Sequence, residues 1–243
     1  MKDLYSEIPS IEFPQVDSRV TNSIDEDLVS LKNEGFIVSS QYWIQGIAGS
    51  LQDCYVRESL IPMLHKAESL LPDGIIFKIY DGYRPIAVQQ RLWNFYRRDV
   101  INKNKGKNLT DGEIDKLTSF FVSRPSYDES SPSLHNTGGA IDLTLVNVIT
   151  NNELNMGTKF DDFSNRAWTN HFEPSYSEYE QNELVMMNRR LLYNVMTAVG
   201  FTNLPSEWWH YDYGDKFWAY FNEKEPIYRG ILDANLPNKY PLI

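Results

Sequence analysis

The chain is poor in cysteine, histidine and long apolar runs. Its single cysteine, Cys54, excludes an internal disulfide framework and a thiolate metal cluster. A lone cysteine reads instead as a small buried hydrophobe. No apolar stretch approaches the roughly 20 residues that cross a bilayer, so membrane insertion is not expected. The opening MKDLYSEIPSIEF lacks a positive region followed by an apolar core, so no secretory leader is read and the expected compartment is the cytoplasm. Cations are also scarce: 23 Lys and Arg face 33 Asp and Glu, for a formal charge of -10. Such a surface repels phosphate backbones and argues against nucleic acid as a partner. Internal repeats and low-complexity tracts are missing too, and the oligomeric state cannot be read.

What is present suits one globular domain. The 243 residues include 42% hydrophobic and 14% aromatic side chains, and a domain of this size buries about 70% of its unfolded surface. The reading is a single domain over 1–243, with residues 1–23 as an arm laid across it and 35–220 as the core. Residues 24–34 read as a short surface helix stopped by Gly35, 39–53 cannot be placed, and 55–71 has helical spacing weakened by Pro62. IIFKIY at 75–80 reads as a strand, DGYRP as a tight turn, and 86–102 as a helix beginning just after Pro85. Thr110 and Glu113 form a capping box for a helix running to about Phe121. The breaker-rich 123–133 reads as a rim or lid, 140–149 as a strand, 179–199 as the longest helix, and 207–213 as a further strand. The rings of Trp208, Trp209, Tyr211, Tyr213, Phe217, Trp218 and Tyr220 read as core and cleft wall.

The chemistry gathers in SLHNTGGAIDLTL, residues 133–145. His135 precedes Asp142 by seven positions, and Gly138-Gly139 between them permits a backbone reversal. On the strand that follows, Asp142 and Thr144 share one face and Ile141, Leu143 and Leu145 the other. A carboxylate inside an apolar run is costly to bury unless paired or metal-bound. His210, in EWWHY, is a third N/O donor, and Glu207 beside it suits a general base. Residues three apart on a regular strand face opposite ways, so this segment must twist or turn if both act at one centre. Spacing alone leaves two readings open, metal ligands or scattered surface and core hydrogen-bonders. His65 and His171 read as structural or surface histidines. Asp161, Asp162 and Arg166 read equally as loop-holding ion pairs and as solvated charges.

Together SLHNTGGAIDLTL, DGYRP, NMGTKFDDFS and EWWHY resemble the zinc D-alanyl-D-alanine dipeptidases of the VanX-like group over roughly residues 35–220. The resemblance implies an α+β domain with a small central antiparallel sheet flanked by helices and a zinc ion in a cleft on the sheet. It implies His135, Asp142 and His210 as zinc ligands, Glu207 as general base, Arg84 as the cation that stabilises the oxyanion, and Ser133, Leu134 and Asn155 as positions meeting a small dipeptide substrate. CYVR at 54–57 looks like a further block of the family. Three positions depart from its pattern: Asn155 stands where the family's aspartate receives the substrate's amino end, Leu134 where a small hydroxyl residue is usual, and QGIAG at 45–49 differs from the usual Asn-Phe-x-Gly. The implied activity is hydrolysis of D-Ala-D-Ala or a close D-amino-acid dipeptide. A D,D-carboxypeptidase acting on longer peptidoglycan stems and a non-catalytic zinc-fold binding protein are the alternatives.

Overall fold

The computed structural model describes every residue except 1, 2, 14, 15, 17, 121, 175–181, 233, 238, 240, 242 and 243. The described elements run β1 (Leu28–Ser30), β2 (Ile37–Val38), α1 (Gln41–Ile44), β3 (Tyr55–Arg57), α2 (Leu60–Glu68), β4 (Ile75–Asp81), α3 (Ile86–Lys103) and α4 (Asp111–Thr118). A 3-10 turn (Leu134–Thr137) then leads into β5 (Ala140–Asn147), β6 (Asn152–Glu153), α5 (Glu183–Ala198), β7 (Thr202–Asn203), β8 (His210–Asp212) and α6 (Lys216–Phe221).

The main sheet has the order β2-β4-β5-β8-β7, with β6 also beside β5. The α+β class holds, but the sheet is mixed: β2 lies parallel to β4 while the other pairs are antiparallel. The parallel pair arises because the chain leaves β2, passes through α1, β3 and α2, and returns to the sheet in the same direction, as a crossover must.

Alternation along the strands divides the sheet into two faces. Phe77 and Ile79 of β4 and Ile141, Leu143 and Leu145 of β5 pack with Leu60, Leu64 and Ala67 of α2 and Leu191, Leu192, Val195 and Met196 of α5. The opposite face carries Asp142 and Thr144. A register shift between Ile79 and Asp81 makes Asp81 the partner of Asp142, so Tyr80 and Asp81 together oppose one residue of β5. The bulge thereby brings a second carboxylate beside Asp142.

Two local expectations are corrected. Residues 24–34 contain strand β1, which pairs with β3, because Leu28 and Val29 meet Arg57 and Val56 across a short ladder. The expected helix 55–71 begins as β3 and turns helical only from Leu60, which puts Pro62 in its first turn, where its missing N–H leaves no bond unmade. The capping box at Thr110 and Glu113 is formed, with Glu113 N–H donating to the Thr110 hydroxyl oxygen at 3.3 Å. α4 ends at Thr118, Phe121 lying outside the described residues, and α5 is seen from Glu183, with 179–181 likewise outside. The arm is tied down at Ile8, which is buried and whose N–H donates to the Glu173 carboxylate at 3.1 Å. Cys54 is buried among apolar neighbours.

Candidate metal centre and catalytic cavity

The turn before β5 sets the position of His135. Gly138 has φ +75, and a Cβ on Gly139 would stand 2.2 Å from the Tyr213 carbonyl oxygen. Both glycines are therefore required, the first for its left-handed backbone and the second for close approach. Buried Arg57, from the CYVR block, fastens this turn by donating to the carbonyls of Thr137, Glu26 and Arg229 at 2.8, 2.6 and 3.2 Å.

β8 stands beside β5 in a register that pairs Asp142 with His210. The expected strand 207–213 is shorter than the sequence suggests. Residues before His210 form a turn, in which Glu207 N–H donates to the Leu204 carbonyl at 3.0 Å and His210 N–H donates to the Glu207 carbonyl at 3.3 Å. That turn resolves the facing problem of a strand, since it brings the Glu207 carboxylate within 4.0 Å of His210 Nδ1.

Three donor atoms converge. His135 Nε2 lies 3.1 Å from His210 Nδ1 and 3.3 Å from Asp142 Oδ2, and His210 Nδ1 lies 3.1 Å from Asp142 Oδ1. All three residues are buried. A tetrahedral divalent ion with bonds of about 2.0–2.1 Å needs donors about 3.3 Å apart, so the set fits zinc. The far nitrogens are engaged elsewhere: His135 Nδ1 donates to the Gly82 carbonyl at 2.9 Å, and His210 Nε2 to Asp212 Oδ1 at 2.7 Å. These bonds select the tautomers that turn Nε2 of His135 and Nδ1 of His210 toward the common centre as lone pairs. Two lone pairs and a carboxylate so close together repel unless a cation joins them. Burial alone would raise the Asp142 carboxyl, but the two histidines outweigh it and hold it below the usual carboxylate range.

Around the centre lies a cavity of about 470 Å3, its mouth included, lined by Tyr42, Arg84, Ser133, Leu134, Asp161 and Glu207 with the three donors and further apolar groups. Burial pushes the Glu207 carboxyl up to about 7, against the opposing charge of His210. Arg84 is 7% exposed and fully engaged. It donates to Asp81 at 2.8 Å, Gln89 at 3.0 Å and the Tyr42 hydroxyl oxygen at 3.2 Å, and the nitrogen that meets Tyr42 is also 3.5 Å from Asp142 Oδ2. Gln89 in turn donates to the Ser123 carbonyl at 2.6 Å, which ties the rim at 123–133 to the arginine.

Ser133 and Leu134 are at the cavity wall, but Asn155 is not. It lines a different depression with Gln41, Tyr80 and Thr144, and its side-chain oxygen accepts from Gly157 N–H at 2.9 Å as part of the turn. A further carboxylate in the cavity is that of Asp161, which accepts from the Tyr42 hydroxyl at 3.4 Å. Asp161 has φ +58, a conformation that costs a non-glycine residue energy and that a packed surround must maintain. Burial raises its carboxyl well above the usual range, partly countered by Arg84. Neither Asp161 nor Tyr42 stood out in the sequence: one was a charge in an irregular loop, the other lay in the unplaced 39–53. Asp162 instead stays at the surface, accepting from Ser164 N–H at 2.8 Å. His171 is buried against Phe172, and exposed His65 stacks on Phe36.

The loop that carries Asp161 is held by Arg189 of α5, which is 1% exposed and donates to the carbonyls of Met156, Trp168 and Arg166. Burial lowers this guanidinium to about 9, so it is still charged at neutral pH. Arg189→Met removes the donor from three carbonyls at once. We expect it to lower stability by about 3 kcal/mol or more, read as a lower urea midpoint, because each stranded buried acceptor costs about 1–3 kcal/mol.

The chain is similar to known proteins. A family model described as D-ala-D-ala dipeptidase, of the peptidase M15 group, matches residues 46–227. The chain belongs to the D-Ala-D-Ala dipeptidase family. Within it, the D-alanyl-D-alanine dipeptidase of Synechocystis sp. is 30% identical over 164 residues, covering 63% of this chain and 66% of that protein. The one from Escherichia coli is 32% identical over 162 residues, covering 65% and 66%. The chain thus spans just under two thirds of the length of these relatives. A solved structure titled VanYB in complex with D-Alanine-D-Alanine aligns over 85% of this chain and 89% of that one, at 15% identity and a TM-score of 0.44. Among the described residues of this family member, no helix is long and apolar enough to cross a membrane.

Proposed function

We propose that this protein is a zinc-dependent dipeptidase that hydrolyses D-alanyl-D-alanine or a closely related D-amino-acid dipeptide, with the cytoplasm as its compartment. The observation that carries the reading is the meeting, in one small cavity, of the His135-Asp142-His210 donor set, the Glu207 carboxyl and the Asp161 carboxyl. Family membership supports the reaction class, and the printed activity of the relatives supports the substrate. The small size of the cavity supports a short substrate over a long peptidoglycan stem.

When bound by these three residues, zinc supplies a Lewis acid that polarises the peptide carbonyl and makes water more acidic. Glu207 takes the proton of the attacking water on its carboxylate and hands it to the departing nitrogen. Its elevated proton affinity suits both halves of that transfer. Arg84 contributes a fixed positive charge where the carbonyl oxygen becomes negative. Asp81, Gln89 and Tyr42 hold its guanidinium in place, so little reorganisation accompanies the step. Asp161 receives the free ammonium of the substrate, in place of the role first given to Asn155. An arriving ammonium also draws the Asp161 proton off, since it supplies the opposite charge that burial denies.

Two measurements test this. Zinc-loaded protein should release D-alanine from D-Ala-D-Ala and leave L-Ala-L-Ala and a D-Ala-D-Ala-terminated stem peptide largely uncut. Cleavage of the stem peptide alone would move the assignment to a carboxypeptidase. In steady-state kinetics Asp161→Asn should raise KM for D-Ala-D-Ala at least about tenfold, because one partner of a desolvated charge pair is lost. An unchanged KM would remove Asp161 from the substrate site.

A further inference from the structure

The catalytic cavity does not end at Glu207. Val122, Ser123, Ser133, Leu134, Leu204 and Glu207 line both that cavity and a broader adjoining groove, so the two share a wall on the general-base side. Asp161 and Arg84 line the cavity and not the groove. The groove is built on two kinds of side chain. Leu134, Leu204 and Phe217 belong to a small apolar cluster with Ala140 and Val16, and they give it an apolar floor. Its rim carries Lys116 at the end of α4, Arg124 in the rim segment and Lys216 at the start of α6.

This local charge runs against that of the whole chain. The protein has a formal charge of -10, yet among the described groove-lining residues Glu207 is the sole acid against three cations. Arg124 is shared only loosely with Asp115, at 3.6 Å, and its side chain is 72% exposed. Lys216 lies 5.9 Å from the Phe217 ring centroid, and neither it nor Lys116 is paired with a carboxylate among the described residues. Like charges held together at the mouth of a cavity set up a field that attracts anions.

The direction of the substrate follows from the chemistry already assigned, and the inference rests on that reading. If Asp161 takes the ammonium and Glu207 protonates the departing nitrogen, the leaving residue lies on the Glu207 side. That is the side on which the cavity shares its wall with the groove. We propose that the groove is a subsite for the side chain of the C-terminal residue, and that it favours an aliphatic chain ending in a carboxylate. The methylenes would lie on Leu134, Leu204 and Phe217, and the carboxylate would reach Lys216, Lys116 and Arg124. The substrate class is then D-alanyl dipeptides with an acidic C-terminal residue, beside D-Ala-D-Ala itself.

The test compares D-Ala-D-Glu with its neutral isostere D-Ala-D-Gln and with D-Ala-D-Lys. For zinc-loaded protein at low salt, kcat/KM for the glutamate dipeptide should exceed that for the glutamine one by about three- to tenfold, with the lysine one lowest. This is the size expected of partly exposed charge pairs, and it should shrink in about 0.5 M salt. Lys216→Glu and Arg124→Glu should each reverse the order of the glutamate and lysine dipeptides, while Lys107→Glu, in a remote loop, leaves it unchanged. Calorimetric binding of the same three dipeptides to zinc-loaded Glu207→Gln protein reads the groove without turnover. Failure to hydrolyse any dipeptide, with the acidic one still bound best, would overturn the proposed function and keep the subsite. Equal kcat/KM and equal binding for the three dipeptides, or a charge-reversal variant that changes all of them alike, would overturn the subsite whether or not D-Ala-D-Ala is cleaved.

Discussion

Glu207→Gln should bind zinc as tightly as the unchanged protein and hydrolyse D-Ala-D-Ala about a thousandfold more slowly, in the middle of the range for loss of a general acid-base. The amide keeps the shape of the carboxyl but cannot take a proton from water at neutral pH. Its position makes it a poor candidate for a ligand, since its oxygen is 4.0 Å from His210 Nδ1 while the donor atoms are 3.1–3.3 Å from one another. Zinc content after dialysis and single-turnover rates check the two halves of the result. Loss of zinc in the variant would instead make Glu207 a ligand.

The same residue sets an expected pH dependence. Burial raises the Glu207 carboxyl from 4.5 to about 7, and a nearby zinc ion lowers it again. The acid limb of kcat/KM should therefore fall between those two values, and rates should drop about tenfold per pH unit below it. In the metal-free protein the sign for stability is the reverse of the usual carboxylate case. A group that binds its proton more tightly when folded destabilises the fold as pH rises from its unfolded value to its folded one. Here the loss runs across pH 4.5 to 7 and amounts to at most about 3 kcal/mol. Glu207→Gln has no such charge to bury, so its metal-free form should melt higher than metal-free parent at pH 8, and the gain should vanish near pH 4.

These roles were unequally legible in the sequence. His135 and Asp142 drew notice because two glycines that tolerate no side chain and an alternating strand stand beside them, while the ligand set with His210 came from the resemblance. Arg84 was singled out by the resemblance that DGYRP helps to carry. The link between Glu207 and His210 was visible as chemistry but not as geometry, since the turn depends on bonds from Glu207 and Asn203 to residues on either side. Asp161 was not legible. Its place in the cavity depends on a left-handed residue, on Tyr42 from a short helix with no N-cap side-chain bond, and on Arg189 reaching three carbonyls from α5. Nothing periodic marks such contacts, and Asn155 drew the role because it stands where the family's aspartate receives the substrate's amino end. The parallel β2–β4 pair was hidden for a similar reason: a two-residue strand has too little length to show a period.

His210→Ala should abolish zinc binding at micromolar concentrations and with it all hydrolysis, because two remaining donors do not close a site. The more discriminating variant is Asp212→Asn, which leaves all three donors in place. Asp212 is fully buried and its Oδ1 accepts from His210 Nε2 at 2.7 Å, so the carboxylate fixes the tautomer and makes Nδ1 a stronger donor. Replacing that carboxylate by a neutral amide should weaken zinc about 10- to 100-fold, measured by competition with a chromophoric chelator, and excess zinc should restore turnover. Removing zinc from the unaltered protein has the opposite electrostatic result. Burial works against a charge on His210, but the Asp212 and Asp142 carboxylates outweigh it and raise its proton affinity well above the usual value. A proton on His210 is therefore expected to take the place of the ion in the metal-free cluster. Zinc must displace that proton to bind, so its apparent affinity should rise with pH by up to about tenfold per unit while His210 remains protonated. A pH-independent affinity would mean that the metal-free site already holds neutral imidazoles.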